Sequence, residues 1–256
     1  MTMGARAIGE FCWINMLTPQ PAEARAFFGA LLGWTFVEMP GAIGHTIVVG
    51  DRDVGGLFDR DSPQTPKGAR AHIGVMVKVQ SADAAAEKVK ALGGQARAPF
   101  DVMQAGRMAV CFDPNGAAFD VWEPKRLRGT EVDSAVHGAP GWFETLTTDV
   151  ERATRFYAAL FGWKPELTDA PGLRYTSFKQ GESDVAGLMQ LRAEMGASAP
   201  HWGTYFTVKD VDETARTAVA LGATQCVAAQ DIPGVGRFCG LTSPQGVAFY
   251  AITWAR

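Results

Sequence analysis

The chain has 256 residues, of which 47% are hydrophobic and 20% are charged, and its formal net charge at pH 7 is −3. This composition is typical of a folded globular protein, and it supplies too little positive field to hold nucleic acid. No apolar run is long enough to span a bilayer, so we expect a cytoplasmic monomer or homodimer whose partner is a small molecule, with neither nucleic acid nor membrane bound.

The sequence contains an internal duplication. The segment 26–34, AFFGALLGW, returns at 155–163 as RFYAALFGW, and His72 returns as His201. Both copies keep one offset of 129 residues (162 − 33 = 201 − 72), which indicates a tandem repeat.

From the duplication we expect two like domains, residues 1–131 and 132–256, each able to bury its own core. Residues 124–141, rich in Pro, Gly and charged side chains, are the predicted linker. The four cysteines form no C-x-x-C pair, and we expect free and mostly buried thiols.

Each half is itself two copies of one strand–helix–strands pattern. In the first copy a strand is predicted at Glu10–Thr18 and further strands at Thr46–Val49 and Val54–Phe58. Gly33 ends the intervening helix, and the apolar stripe of that helix consists of Ala24, Phe27, Phe28 and Leu31.

The second copy begins with a strand at His72–Val79 and a helix capped by Ser81, with strands predicted at Arg107–Phe112 and Ala117–Trp122. The apolar stripe of this helix comprises Ala85, Val89 and Leu92. In the second half Asp210 is the predicted cap, and the corresponding stripe comprises Thr214, Ala218 and Leu221. The fold class is therefore α+β, with four βαβββ modules.

The module order, the F-[FY]-x-x-L-[LF]-G-W helix endings and the [DS]-P-x-G-x-x-F turns resemble the vicinal oxygen chelate superfamily. That superfamily contains glyoxalases, bleomycin-resistance proteins and extradiol dioxygenases. The resemblance extends from about Ile8 to Trp254, and the segment IPGVGRF at 232–238 is similar to a bacterial branch of two-domain glyoxalase-like or hydroxylase proteins. It implies two duplicated glyoxalase-like domains whose mixed sheets curl into two cups.

The resemblance also implies where a metal ion would lie. The family binds its metal through a His near the start of a module's first strand and a Glu on the last strand. Here the first-strand positions are occupied by Trp13, Gly74, Trp142 and Gly203. The last-strand positions are occupied by Asp120 and Tyr250. We therefore expect no cofactor.

The alternative is a divalent metal in an irregular site. Domain one offers His72, Asp120 and Asn15 as ligands, whereas domain two offers His201 and Glu144 together with Tyr250. Histidines bonded to the backbone at the strand entrances are the competing interpretation.

Aromatic side chains occupy several of the positions that are predicted to face the cups. Because residues two apart in a strand share a face, the predicted cup-facing rings are Trp13, Trp122, Trp142, Tyr205 and Tyr250. Such walls suit a flat apolar ligand, although rings that only fill the sheet interior would give the same pattern.

Glu144 is the candidate catalytic residue, because a carboxylate in an apolar cup has a raised pKa and can serve as a general base. Its counterpart in domain one is Asn15. Arg107 and Arg237 are predicted either to contact an anionic ligand, Asp120 or Glu144, or to form structural salt bridges.

Two functions from different classes remain open at this stage. One is a binding protein that holds a small apolar or aromatic molecule without metal. The other is a lyase, dioxygenase or hydroxylase type of enzyme acting on a vicinal-oxygen or dicarbonyl substrate, through an irregular metal site or through Glu144 as base. Whether the chain is an enzyme is left undecided by the residues alone.

Overall fold

The computed structural model describes residues 5–255 except 64, 66–67, 171–172 and 193–198. The elements of the first half, in order, are β1 (Phe11–Thr18), α1 (Pro21–Leu32), β2 (Thr35–Glu38), β3 (His45–Val49), β4 (Arg52–Asp59), β5 (His72–Lys78), α2 (Ala82–Ala91), β6 (Gln95–Ala96), β7 (Phe100–Val102), β8 (Gly106–Phe112) and β9 (Ala118–Pro124). A 3-10 turn at Pro40–Ala42 lies between β2 and β3.

The second half repeats this order. Its elements are β10 (Pro140–Thr147), α3 (Val150–Phe161), β11 (Lys164–Ala170), β12 (Leu173–Gln180), β13 (Ser183–Gln190), β14 (His201–Thr207), α4 (Val211–Ala220), β15 (Thr224–Ile232), β16 (Gly236–Thr242) and β17 (Ala248–Trp254).

Each half forms one mixed sheet from its own strands. The strand order is β2-β3-β4-β1-β5-β9-β8-β6 in the first, with β7 paired to β8, and β11-β12-β13-β10-β14-β17-β16-β15 in the second. Within the first sheet β1 is parallel to β4 and antiparallel to β5, and the second sheet repeats this arrangement. This confirms an α+β fold of four βαβββ modules, and it shows that modules pair within each half.

The helices begin and end where local chemistry predicts. Gly33 ends α1 with a φ of 68°, and the Ser81 and Asp210 side chains accept hydrogen bonds from backbone N–H groups in the first turns of α2 and α4. The prediction for Leu221 is wrong: it follows the end of α4 and is 40% exposed, and Ala215 takes its place in the buried stripe.

The expectation that each half buries its own core is also wrong. One hydrophobic core contains residues of α1, among them Phe28, and residues of α4, together with Phe206 of β14 and Phe249 of β17. The other core contains residues of α2 and α3. The rings of Phe11 and Phe143, one from each half, stack with centroids 4.2 Å apart. The helix-covered face of each sheet is apolar. Packing these two faces against each other removes more apolar surface from water than leaving them apart, so the halves share their cores.

Trp34 and Trp163, which end the repeated helix motifs, are buried packing residues as predicted. Each indole N–H donates to a backbone carbonyl oxygen 2.8 Å away, from Trp34 to Gly138 and from Trp163 to Gly9. A buried indole needs such an acceptor, so both interactions fasten the segments outside the repeats to the core.

All four cysteines are free thiols, and three of them are buried. Burial raises the pKa of Cys12 and Cys111 to about 12 and that of Cys239 to about 11. No helix among the described residues is both long and apolar enough to cross a bilayer.

Candidate functional site

The alternation of side chains along the central strands separates the helix face of each sheet from its cup face. On β5, Val75 and Val77 belong to a helix-side core, while Met76 contacts Trp13 and Trp122 on the other face. On β14, Phe206 lies in the helix-side core and Tyr205 lies in the cup. The predicted faces are therefore the ones the chain adopts.

Glu144 lies at the centre of a hydrogen-bond chain in the domain-two cup. The hydroxyl of Tyr205 donates to Oε1 of Glu144 over 2.9 Å, and the hydroxyl of Tyr175 acts on the pKa of this carboxyl. Nε1 of Trp142 in turn donates to the Tyr175 hydroxyl oxygen, 2.9 Å away. Side chains from β12 and β14 thus surround a carboxylate that is 5% exposed.

Burial raises the pKa of Glu144, and the interactions with Tyr205 and Tyr175 oppose that rise without cancelling it. No cation appears among the groups acting on Glu144 in the described part of the chain. Burial together with the nearby carboxylate raises the pKa of Tyr175 and Tyr205 well above the usual value. Both tyrosines therefore remain neutral donors.

Aromatic rings line the rest of this cup. Tyr250 stacks on Tyr205 with centroids 4.4 Å apart and an interplanar angle of 14°, and the Phe238 ring lies 5.9 Å from Tyr205. Trp142 and Tyr250 are only half-buried, so parts of their surfaces remain open to solvent. The cup thus combines open ring surface with one buried acceptor.

Tyr175 and Phe238 belong to this cup but were missed by the sequence analysis. The signal was present for Tyr175. Thr176 and Phe178 are buried on the helix side of β12, so Tyr175, which directly precedes Thr176, must point to the opposite face. Gly187 on β13 makes room for it, because a Cβ there would overlap the Tyr175 hydroxyl. Strand β12 was not predicted from the sequence, and without its bounds Tyr175 could not be assigned to a face.

The domain-one cup has diverged in chemistry. Asn15, the counterpart of Glu144, donates from Nδ2 to Oδ2 of Asp120 over 3.4 Å. Burial raises the pKa of Asp120 to about 7. Trp13 and Trp122 are 7% and 2% exposed, so they form a packed floor rather than open walls.

Of the two alternatives predicted for the arginines, the structure shows salt bridges with helix residues and no pairing with Asp120 or Glu144 among the described residues. Arg107 shares the helix face of β8 with Ala109, where it forms a bidentate pair with Asp83 of α2. Arg237 forms the equivalent bidentate pair with Asp212 of α4. Strand alternation directs both side chains away from the cups, and both are structural salt bridges.

A glyoxalase-like domain family model matches the chain twice, at residues 13–122 and 143–252. The chain belongs to the glyoxalase-like domain family. It is 35% identical over 260 residues to the anthracycline biosynthesis protein DauV of Streptomyces sp. strain C5, covering 96% of this chain and 94% of the relative. It is 32% identical over 243 residues to CFP32 of Mycobacterium tuberculosis, whose name places it provisionally among the glyoxylases, with coverage of 93% and 92%.

Solved structures of a glyoxalase and of a dioxygenase show the same fold. An Mn(II)-bound glyoxalase from Novosphingobium aromaticivorans superposes with a TM-score of 0.66 at 15% identity, covering 98% of this chain and 83% of the other. The 2,3-dioxygenase LapB from Pseudomonas sp. KL28 has a TM-score of 0.65 at 10% identity, with coverage of 100% and 94%. The vicinal oxygen chelate architecture inferred from the motifs is confirmed.

The cups of this glyoxalase-like protein do not fit the family's metal. A Cβ added at Gly203 would lie 2.7 Å from Cε2 of Tyr250, so the tyrosine ring occupies the space beside a first-strand ligand position. Nδ1 of His72 donates to the Arg70 carbonyl oxygen, 2.8 Å away, and Nδ1 of His201 donates in the same way to Ala199, 2.9 Å away.

The carboxylates likewise accept hydrogen bonds from other side chains: Glu144 from Tyr205 and Asp120 from Asn15. No group of three or more His, Cys, Asp or Glu side chains is arranged to hold a metal ion within the described ranges. The irregular ligand sets considered from the sequence, His72 with Asp120 and His201 with Glu144, therefore do not assemble there.

Proposed function

We propose that this glyoxalase-like protein binds a small, flat aromatic molecule in the domain-two cup through side chains alone. The observation that carries the proposal is the ring of half-buried aromatic groups, Trp142, Tyr175 and Tyr250, around the buried carboxylate of Glu144. Open aromatic surface with a single polar anchor is the composition of small-molecule sites, because rings supply area and the anchor supplies orientation.

The name of one relative supports this ligand shape. DauV is named for anthracycline biosynthesis, and anthracyclines carry fused, planar rings. The two chains share 35% identity across nearly their full lengths, so a planar polycyclic ligand is a reasonable first class to test. The fold alone would not distinguish one chemistry from another.

Binding of 2-naphthol measured by isothermal titration calorimetry tests the proposal. Trp142→Ala is expected to weaken binding by roughly 2- to 10-fold, since an aromatic contact is worth about 0.5–1.5 kcal/mol beyond its area. Trp13→Ala, the same position in the other cup, is the matched control and should leave the affinity unchanged. Equal losses from both substitutions would show that the ligand does not occupy the domain-two cup.

A second candidate function is an enzyme that uses Glu144 as a metal-free general base. The raised pKa of this buried carboxyl favours it, because a carboxylate with a raised pKa accepts a proton more readily than an ordinary one. The unequal chemistry of the two cups favours it too. Deuterium exchange into the enolisable position of an aromatic dicarbonyl compound, present in wild type and lost in Glu144→Gln, would establish this enzyme and replace the binding function.

A further inference from the structure

We propose that the domain-two cup selects neutral aromatic molecules bearing a hydroxyl group, and that it rejects both their methyl ethers and aromatic carboxylates. Glu144 is the residue that makes the selection, by accepting a hydrogen bond from the ligand hydroxyl. This inference rests on the proposed function and adds the chemical class of the ligand.

The first argument is the direction of the hydrogen bonds around Glu144. The Tyr205 hydroxyl directs its one donor to Oε1 of Glu144, and the Tyr175 hydroxyl interacts with the same carboxyl and opposes the rise in its pKa. The Tyr175 oxygen additionally accepts the indole N–H of Trp142. In its ionised form a carboxylate offers about four acceptor sites, of which the Tyr205 hydroxyl uses one, so Glu144 keeps open acceptor lone pairs.

A ligand that enters this cluster must therefore bring a donor. A phenolic O–H satisfies an open acceptor site, whereas a methyl ether at the same position places oxygen lone pairs and a methyl group against acceptors. Leaving a buried acceptor without a partner costs affinity, which is how such sites discriminate between close analogues.

The second argument is charge. The groups that act on Glu144 are Tyr205 and Tyr175, with Tyr250 stacked behind them, and all three are neutral because their pKa values are raised. Arg237 would be the obvious counterion on β16, but it faces the helix side and bonds Asp212 and Asp231. An aromatic carboxylate would therefore share this buried setting with a second carboxyl group and with no cation to compensate it among the groups that act on Glu144.

The third argument is the contrast with domain one. Asn15 stands at the Glu144 position there, and its amide supplies a donor that Asp120 accepts. An amide offers donors and an acceptor at once, so it does not define one hydrogen-bond polarity. Because domain one has the amide of Asn15 at this position, Glu144→Gln is the substitution that should remove the preference for a ligand hydroxyl while keeping the side-chain shape.

Three probes of similar shape test the inference: 2-naphthol, 2-methoxynaphthalene and 2-naphthoate, titrated into the full chain at pH 7. For wild type we expect 2-naphthol to bind at least about 10-fold more tightly than the ether, equivalent to about 1.4 kcal/mol, with 2-naphthoate weakest. In Glu144→Gln the preference for the hydroxyl should shrink and 2-naphthoate should gain affinity.

Glu166→Gln is the matched control, because Glu166 lies on the surface of the same sheet and pairs with Lys179 at 2.9 Å. It should keep the wild-type order of the probes. Equal affinity for the naphthol and its ether in wild type, or tighter binding of the naphthoate, would overturn the inference while the proposed function stands. Failure of all three probes to bind would overturn both. If Glu144→Gln does not fold, the wild-type order of the probes decides alone.

Discussion

The hydroxyl of Tyr157 donates a hydrogen bond to Oδ2 of Asp113, 3.0 Å away, and so connects α3 of the second half to a turn of the first. The same hydroxyl oxygen accepts the indole N–H of Trp202 at 2.9 Å. At the positions corresponding to Tyr157 and Asp113, the other core has Phe28 and Ser243. The two helix-side interfaces are related by duplication, but only one contains this buried polar chain.

Tyr157→Phe is expected to lower the free energy of unfolding by about 1–3 kcal/mol. It removes the hydroxyl that joins Asp113 to Trp202, and a buried polar group left without a partner bears its desolvation cost. Urea denaturation followed by tryptophan fluorescence measures the change. Tyr250→Phe, which removes a hydroxyl from the half-buried cup, should cost less, and an equal or larger loss there would contradict the assignment.

Asp120 makes the stability depend on pH. Its folded pKa of about 7 lies above the ordinary value of 3.8, so the native state binds this proton more tightly than the unfolded state. The resulting stabilisation is complete below the unfolded value and is lost as pH rises towards and through 7, at about 1.4 kcal/mol per pKa unit.

Urea denaturation between pH 4 and 8 checks this dependence. Asp120→Asn should flatten the decline in stability relative to wild type, because the amide does not titrate. The raised pKa values of Asp113 and Glu144 act in the same direction, so a residual slope remains in the variant. Identical slopes in the two proteins would show that Asp120 does not titrate as the structure indicates.

Gly187→Ala is expected to weaken 2-naphthol binding. A Cβ at Gly187 would overlap the Tyr175 hydroxyl and also lie 3.0 Å from Nε1 of Trp142, so the Tyr175 ring must tilt away from Glu144. Such overpacking costs about 1–3 kcal/mol. Gly74→Ala is the control, since its Cβ would meet no atom closer than 3.5 Å. Calorimetric titration should separate the variants, and equal affinities would rule out a role for Tyr175.

The purified protein is expected to contain no stoichiometric zinc, iron, manganese or nickel, and chelation should leave its melting temperature unchanged. The reason is that Trp13, Trp142 and the Tyr250 ring occupy the space of the family's ligand positions. A metal bound only to the native state would add about 2.7 kcal/mol at a hundredfold excess over Kd, which melting experiments detect. One equivalent of metal, lost in both His201→Ala and Glu144→Ala, would establish a metal site instead.

Local patterns in the chain predicted much of this architecture. Helix α1 was defined by the spacing of Phe27, Phe28 and Leu31 and by Gly33, and all of these behave as expected. The assignment of Tyr205 and Glu144 to one cup followed from strand alternation together with the repeat. These features depend on neighbours a few residues apart, and the period of a helix or a strand fixes which of them share a face.

Only the tertiary structure decided how distant elements meet. Strand alternation determines the face of β8 on which Arg107 lies. Its pairing with Asp83 depends on how α2 packs on that face. Tyr175 reaches Glu144 because β12, β13 and β10 lie side by side and Gly187 leaves room between them. The shared cores, with Phe11 stacked on Phe143, likewise depend on burying two apolar faces at once, which no local period encodes.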